Sequence, residues 1–411
     1  MSTAPLPRLR ELLPPELLRI VERDTPIPRI AGEAGRLQPD HPELVRADIG
    51  QISGYDPKLE VPYGAPVGLE RLRELVAETM IRSLQLDDSS RHPHAPELSA
   101  RNICACTGAA EALSLLLRCF AKDATVALPR AHWENYANAV DLAGGRHVIV
   151  DVFEKDGRLD TDALAGRLRD ADVSVVVANF PSNPSGAVLD DAECAALAGV
   201  MRDLNLVVIA DEVYFRLRYD GHAPNSLLAH APDHVISVSS ASKEYLLPGA
   251  RIGYVVSAHA DLTDVVLRKL LRASTASPNV LGQRRLIELL ERDLVDLQAG
   301  RDPKLVGAIR DEMARRRDQL LEVLDRHGMS AAGRPGHRPE GTIFLLASLP
   351  SWFDGDDAAF ASATLEHRCV SVVPGSAFGL PGTVRFSYGG LTQERITQLD
   401  ANLTQLRQAL S

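Results

Sequence analysis

The chain has 411 residues, 45% hydrophobic and 24% charged, with a formal net charge of −10. This balance suits one large globular domain with a smaller one, and acids and bases alternate too closely for a nucleic-acid stripe or a polybasic membrane patch. No apolar run nears membrane-spanning length, and the proline- and acid-bearing N-terminus lacks the apolar core of a signal peptide.

The five cysteines, at 104, 106, 119, 194 and 369, show no paired metal-ligand spacing. Cys104 and Cys106 alternate along an apparent strand, as core residues do, and no metal site is expected. The unpaired thiols fit a reducing, cytoplasmic compartment.

In chain order, residues 1–60 hold a short helical pattern over 15–21 and then a segment broken by proline and glycine, which reads as an arm. Tyr63 precedes a Pro-x-Gly turn and an amphipathic helix from Leu69 onward. From about residue 100 short apolar runs alternate with helical patterns, the mark of a mostly parallel α/β sheet.

Strands are predicted over 102–106, 125–129, 146–150, 174–180, 206–210 and 235–238, with a further apolar run at 255–256. The small-residue turn Thr107-Gly108-Ala109-Ala110 opens a helix predicted to run to Phe120, and its free N–H groups suit a phosphate. Pro181-Ser182-Asn183-Pro184-Ser185-Gly186 follows one apolar strand, and Asp211-Glu212-Val213-Tyr214 ends the next.

The stretch Ser240-Ala241-Ser242-Lys243, with Arg251 boxed by Gly249 and Gly253, joins the last two apolar runs. Lysine forms Schiff bases with aldehydes, and serine and arginine ligate phosphate. Pyridoxal 5′-phosphate (PLP) carries both groups. Farther on, Asp302-Pro303 is predicted to cap a long helix, with Asp302 as N-cap and the helix ending near Gly328. The segments 339–344, 373–379 and 384–388 then supply short strand patterns.

Taken together, these motifs resemble the fold-type-I, aspartate-aminotransferase-like (class I/II) PLP enzymes over roughly residues 45–400. The resemblance implies an α/β fold whose mostly parallel central sheet is flanked by helices, with a smaller α+β domain formed by the two termini. It divides the chain into an arm and part of the small domain (1–60), a large cofactor-binding domain (61–300) and a small C-terminal domain (301–411).

The same resemblance assigns residues. Gly108, Ala109, Ala110, Ser240, Ser242 and Arg251 would hold the cofactor phosphate, helped by Tyr63 from the neighbouring subunit of a homodimer with shared active sites. Trp133 would stack on the pyridine ring, Asp211 would face its nitrogen, and Asn183 and Tyr214 would share the phenolic oxygen. Lys243 would carry the Schiff base and move the proton, while Arg385 grips the substrate α-carboxylate with Asn183 and Gly50 close by.

The implied reaction transfers the amino group of an amino acid to a 2-oxo acid. A lyase, replacement enzyme or cyclising synthase of the 1-aminocyclopropane-1-carboxylate synthase kind stays open on these motifs. A non-enzymatic PLP-binding regulator would need a basic N-terminal helix-turn-helix, and this arm is short, proline-broken and not basic. Side-chain specificity is unassigned; Arg272, Arg284, His132 and Tyr245 mark places where relatives vary.

Overall fold

A computed structural model describes residues 13–22, 36–37, 39–41, 61–86, 92, 95–368 and 370–410. Seven strands form one sheet: β1 (Ile103–Cys106), β2 (Thr125–Pro129), β3 (Arg146–Val150), β4 (Val175–Ala178), β5 (Val207–Asp211), β6 (Val235–Ser240) and β7 (Gly253–Ser257). Their spatial order is β1-β7-β6-β5-β4-β2-β3. Strands β3, β2, β4, β5 and β6 run parallel, whereas β7 is antiparallel to both β6 and β1. Asn102, expected in the first strand, instead closes a short 3-10 turn and donates to the carbonyls of Ser257 and Ala258.

Two-sided burial explains why the inner strands read as almost wholly apolar, whereas the edge strand β3 is largely exposed and opens with Arg146 and His147. Along β4 and β5, Val176, Ala178, Val208 and Ala210 enter one core, under helices Glu70–Leu84, Thr161–Asp170, Asp191–Asp203 and Val280–Gln298. Their alternates Val175, Val177, Val207 and Ile209 enter the other, under helices Ala109–Phe120, Asn135–Leu142 and Leu267–Ser274. The period of two sends successive side chains to opposite faces. Each buried valine or isoleucine contributes about 1.5–3 kcal/mol. The described part of the arm, helix Pro15–Glu22, lies on this second core through Leu13 and Val21.

A second sheet, β8 (Phe344–Ser348), β9 (Val373–Pro374) and β10 (Thr383–Ser387), is antiparallel in the order β8-β10-β9. Helices Lys304–Arg326, Asp357–Arg368 and Gln393–Leu410 accompany it, and its core draws in Val213, Tyr214 and Leu217 from the segment after β5. The long helix corrects one sequence expectation. Pro303, not Asp302, occupies its N-cap, and no side chain caps it. The Asp302 carboxylate is instead drawn across the first turn to Arg310, with Nη2 to Oδ2 at 2.5 Å.

This topology brings five strand ends to one edge. The C-terminal ends of β1, β4, β5 and β6 and the N-terminal end of β7 all emerge there. In open α/β sheets the ligand crevice lies at that edge.

Candidate active site

The turn after β1 is held from three sides. Gly108 sits at φ +82°, in the region glycine enters without strain, and is the N-cap of helix Ala109–Phe120. Glu111 folds back so that its carboxylate accepts the Thr107 N–H at 2.5 Å. A Cβ at Gly253 would meet the Gly108 carbonyl carbon and the Ala109 nitrogen at 2.7 Å, so the start of β7 presses directly against the turn. The Arg251 guanidinium covers the turn: a Cβ at Gly108 would lie 2.4 Å from its Nη2, while its Nη1 donates to the Pro248 carbonyl at 3.0 Å.

Lys243 reaches the same edge from the one-turn helix Ala241–Glu244 that follows β6. The Ser240 hydroxyl accepts the Ser242 N–H at 3.3 Å, which leaves its own O–H to donate elsewhere. Lys243 Nζ stands 5.8 Å from the Tyr214 ring centroid and 6.0 Å from that of Phe344. Burial, and then the Arg385 charge, lower the pKa of its ammonium, against an opposing pull from Asp211. An amine eased toward its neutral form is a nucleophile and a base.

At the end of β5, Asp211 is 5% exposed and accepts a hydrogen bond from Tyr136 at 2.5 Å. Burial pushes its carboxyl up to about 6, and the Tyr136 bond pulls the other way. Burial, then the nearby Asp211 charge, push the Tyr214 phenol well up. Trp133 packs edge-on against Tyr136 with ring centroids 5.7 Å apart, so the tryptophan and the carboxylate are coupled through one tyrosine.

Asn179 ties two more motifs together. Its Nδ2 donates to the Asp211 carbonyl at 2.8 Å, and its Oδ1 accepts the Asn183 N–H at 2.7 Å. Sequence reading assigned no role to Tyr136 or Asn179. The only local signal was a polar side chain at the end of a wholly buried strand for Asn179, and a W-x-x-Y helical spacing for Tyr136.

The consequence for Tyr136 is testable through pH. If Asp211 must be ionised to act at the site, as the sequence resemblance implies, activity should fall as pH drops through its pKa. Tyr136→Phe removes the opposing bond, and the acid limb of kcat/KM moves to higher pH by about one unit. A pH–rate profile superimposable on that of the parent would remove Tyr136 from the site.

Arg385, on β10, enters from the second sheet. Its Nη1 donates to Asn183 Oδ1 at 3.2 Å, and its guanidinium carbon lies 4.3 Å and 4.6 Å from the rings of Phe344 and Phe378. Its Nε is buried without a hydrogen-bond partner among the described residues. Burial lowers its pKa, with Tyr214 and Glu134 countering. A half-satisfied planar donor clamped between two aromatic rings awaits an acceptor, and a carboxylate matches its fork.

The other expected positions divide. Gly50 lies outside the described residues. Tyr63 is 72% exposed in the single chain. Arg272 and Arg284 are exposed. Tyr245, two residues past the lysine, is 4% exposed and turned into the interior, where its hydroxyl meets Arg216 and Asp293.

The fit to PLP rests on two observations: a glycine turn roofed by an arginine, which suits a phosphate dianion, and a buried guanidinium nitrogen left open beside a lysine of lowered pKa. A site of this kind, on this edge of this sheet, defines a PLP-dependent enzyme of the aspartate aminotransferase fold.

The family model for aminotransferase class I and II matches residues 59–403. A probable aspartate/prephenate aminotransferase of Thermus aquaticus is 28% identical, covering 87% of this chain and 86% of the relative. An aspartate aminotransferase of Bacillus sp. (strain YM-2) is also 28% identical, covering 81% of each. Among solved structures, aspartate aminotransferase from Thermus thermophilus with maleate superposes with a TM-score of 0.72 at 25% identity, over 94% of this chain and 98% of that one. An aromatic aminotransferase from Pyrococcus horikoshii OT3 gives 0.71 at 25%, over 95% and 93%. The chain belongs to the class I and II aminotransferase family, and it is a PLP-dependent aminotransferase. Among the described residues no helix is long and apolar enough to cross a membrane.

Proposed function

We propose that the enzyme moves the amino group of an α-amino acid to a 2-oxo acid in a cytoplasmic homodimer, with Lys243, Asp211 and Tyr214 as its catalytic residues. The observation that carries the substrate half of this reading is the open Nε of Arg385. With Nη1 held by Asn183, the guanidinium is oriented before substrate arrives, so an α-carboxylate meets a prealigned fork.

Bound PLP supplies an electron sink for the bond broken at the amino acid's α-carbon. The N–H groups of Gly108, Ala109 and Ala110 and the side chains of Ser240, Ser242 and Arg251 would hold its phosphate. Trp133 would pack on its ring, Asp211 would keep the ring nitrogen protonated, and Asn183 and Tyr214 would hold the phenolic oxygen. Lys243 Nζ takes the α-proton and returns it, a role that its lowered pKa suits.

Exposed Tyr63 is assigned to the partner's phosphate, and Gly50 to the carboxylate region. The division at residues 60 and 300 assigns the three-stranded sheet to a small domain that meets the large one at Tyr214.

The test is an absorbance titration of the purified holoenzyme, first with aspartate, since several relatives act on it, and then with other amino acids. A donor converts the bound cofactor from its pyridoxal to its pyridoxamine absorbance, and a 2-oxo acid restores it. Consumption of amino acid without any 2-oxo acid requirement would overturn the reading in favour of elimination chemistry.

A further inference from the structure

Behind the site lies a buried polar cluster that the chemistry above does not use. Arg216, two residues past Tyr214, is 3% exposed; Glu244, Tyr245 and Asp293 are 0%, 4% and 2% exposed. Arg216 Nε donates to Glu244 Oε2 at 2.8 Å, and its backbone N–H donates to Oε1 at 3.0 Å. Nη1 donates to Asp293 Oδ2 at 2.8 Å, and Nη2 donates to the Tyr245 hydroxyl at 2.5 Å. That hydroxyl donates in turn to Asp293 Oδ2 at 2.5 Å, and the guanidinium carbon stands 5.0 Å over the tyrosine ring.

Burying a charge cluster of this kind gains little stability over an apolar replacement of the same shape, because desolvation offsets most of the attraction. What such a cluster does fix is geometry. A guanidinium is planar, its donors point in set directions, and here all three nitrogens and the backbone N–H are engaged. Its partners come from the chain positions that matter. Glu244 and Tyr245 directly follow Lys243, Arg216 closely follows Tyr214, and Asp293 anchors the assembly to helix Val280–Gln298. The cluster therefore ties the lysine turn to the tyrosine turn through side chains that face away from the substrate.

We propose that Arg216, acting through Glu244 and Tyr245, is the positioning residue that sets Lys243 Nζ over the Tyr214 ring. The inference rests on the roles proposed above for Lys243 and Tyr214. It assigns Arg216 no contact with substrate or cofactor.

The experiment compares holoenzyme carrying Tyr245→Phe or Arg216→Lys with the parent. It reads the pH midpoint of the cofactor's visible absorption, and kcat and KM for the amino donor separately. Both variants keep the phosphate cradle and Arg385, so cofactor binding persists and KM stays within about twofold. The expected kcat loss is about 3–10-fold for Tyr245→Phe and about 10–100-fold for Arg216→Lys, each with a shifted midpoint, because a misplacement below 1 Å is costly in a preorganised site. A lowered melting temperature with parental kcat and parental midpoint would reduce the cluster to a structural role and overturn the proposal. Where Arg216→Lys does not fold, Tyr245→Phe decides alone, since it removes one oxygen and leaves the charges paired. The visible band lost in Lys243→Ala tests the reading of the site; only the behaviour of these two variants tests the role of Arg216.

Discussion

Lys243→Ala is expected to lose the visible absorption of the lysine-bound cofactor and about 10⁴-fold of turnover, the upper range for a positioned proton carrier. Burial and Arg385 lower the pKa of this ammonium. Nζ lies 5.8 Å and 6.0 Å from the Tyr214 and Phe344 ring centroids, and the Asp211 charge only partly opposes the lowering. The variant should still bind PLP, because the glycine turn and Arg251 do not depend on the lysine. Spectra of the variant with added PLP, together with single-turnover rates, check both halves. Unchanged turnover would remove Lys243 from the centre of the site.

Arg385→Ala produces the second large effect. Two charge-assisted hydrogen bonds to a carboxylate are worth about 1.5–3 kcal/mol each, so kcat/KM for an amino acid should fall by about 10³-fold. An amine lacking the carboxylate provides the control. Its slow reaction should be unaffected, and the ratio of the two substrates should collapse. A kcat/KM within about threefold of the parent would show that another group grips the substrate. Arg385→Lys should recover only part of the loss, since an ammonium cannot present the fork or fill the slot between Phe344 and Phe378.

Most strands of the large sheet were legible because burial on both faces leaves an apolar run, and the motif residues at their ends because each follows such a run; the exposed edge strand β3 was legible from its β-branched Val148-Ile149-Val150. Thr125–Pro129 and Arg146–Val150 come out with the expected bounds. The reversed direction of β7 was not legible. Strand polarity is a property of the connection and its neighbours, and Gly253–Ser257 reads the same either way. Nor was the partner of Asp211, because Tyr136 precedes it by 75 positions and nothing local marks the pair. Tyr245, two residues past the lysine, stood only as a position where relatives vary; the turn directs it inward to Arg216. Asp302 failed as a cap because Arg310 offers its carboxylate a full opposite charge.

The reversed strand also bears on how the enzyme is made. Among the described residues β1 lies at the border of the sheet with β7 as its one strand neighbour, paired through contacts such as Ile103 with Val256, about 150 residues later in the chain. A nascent polypeptide that has emerged only as far as the helix Ala241–Glu244, just after β6, already holds the lysine, the aspartate and both asparagines. It still lacks the surface that buttresses the glycine turn, and it lacks Arg251. If the glycine turn and Arg251 hold the phosphate as proposed, that cradle is complete only once β7, the last strand of the sheet, has docked beside β1.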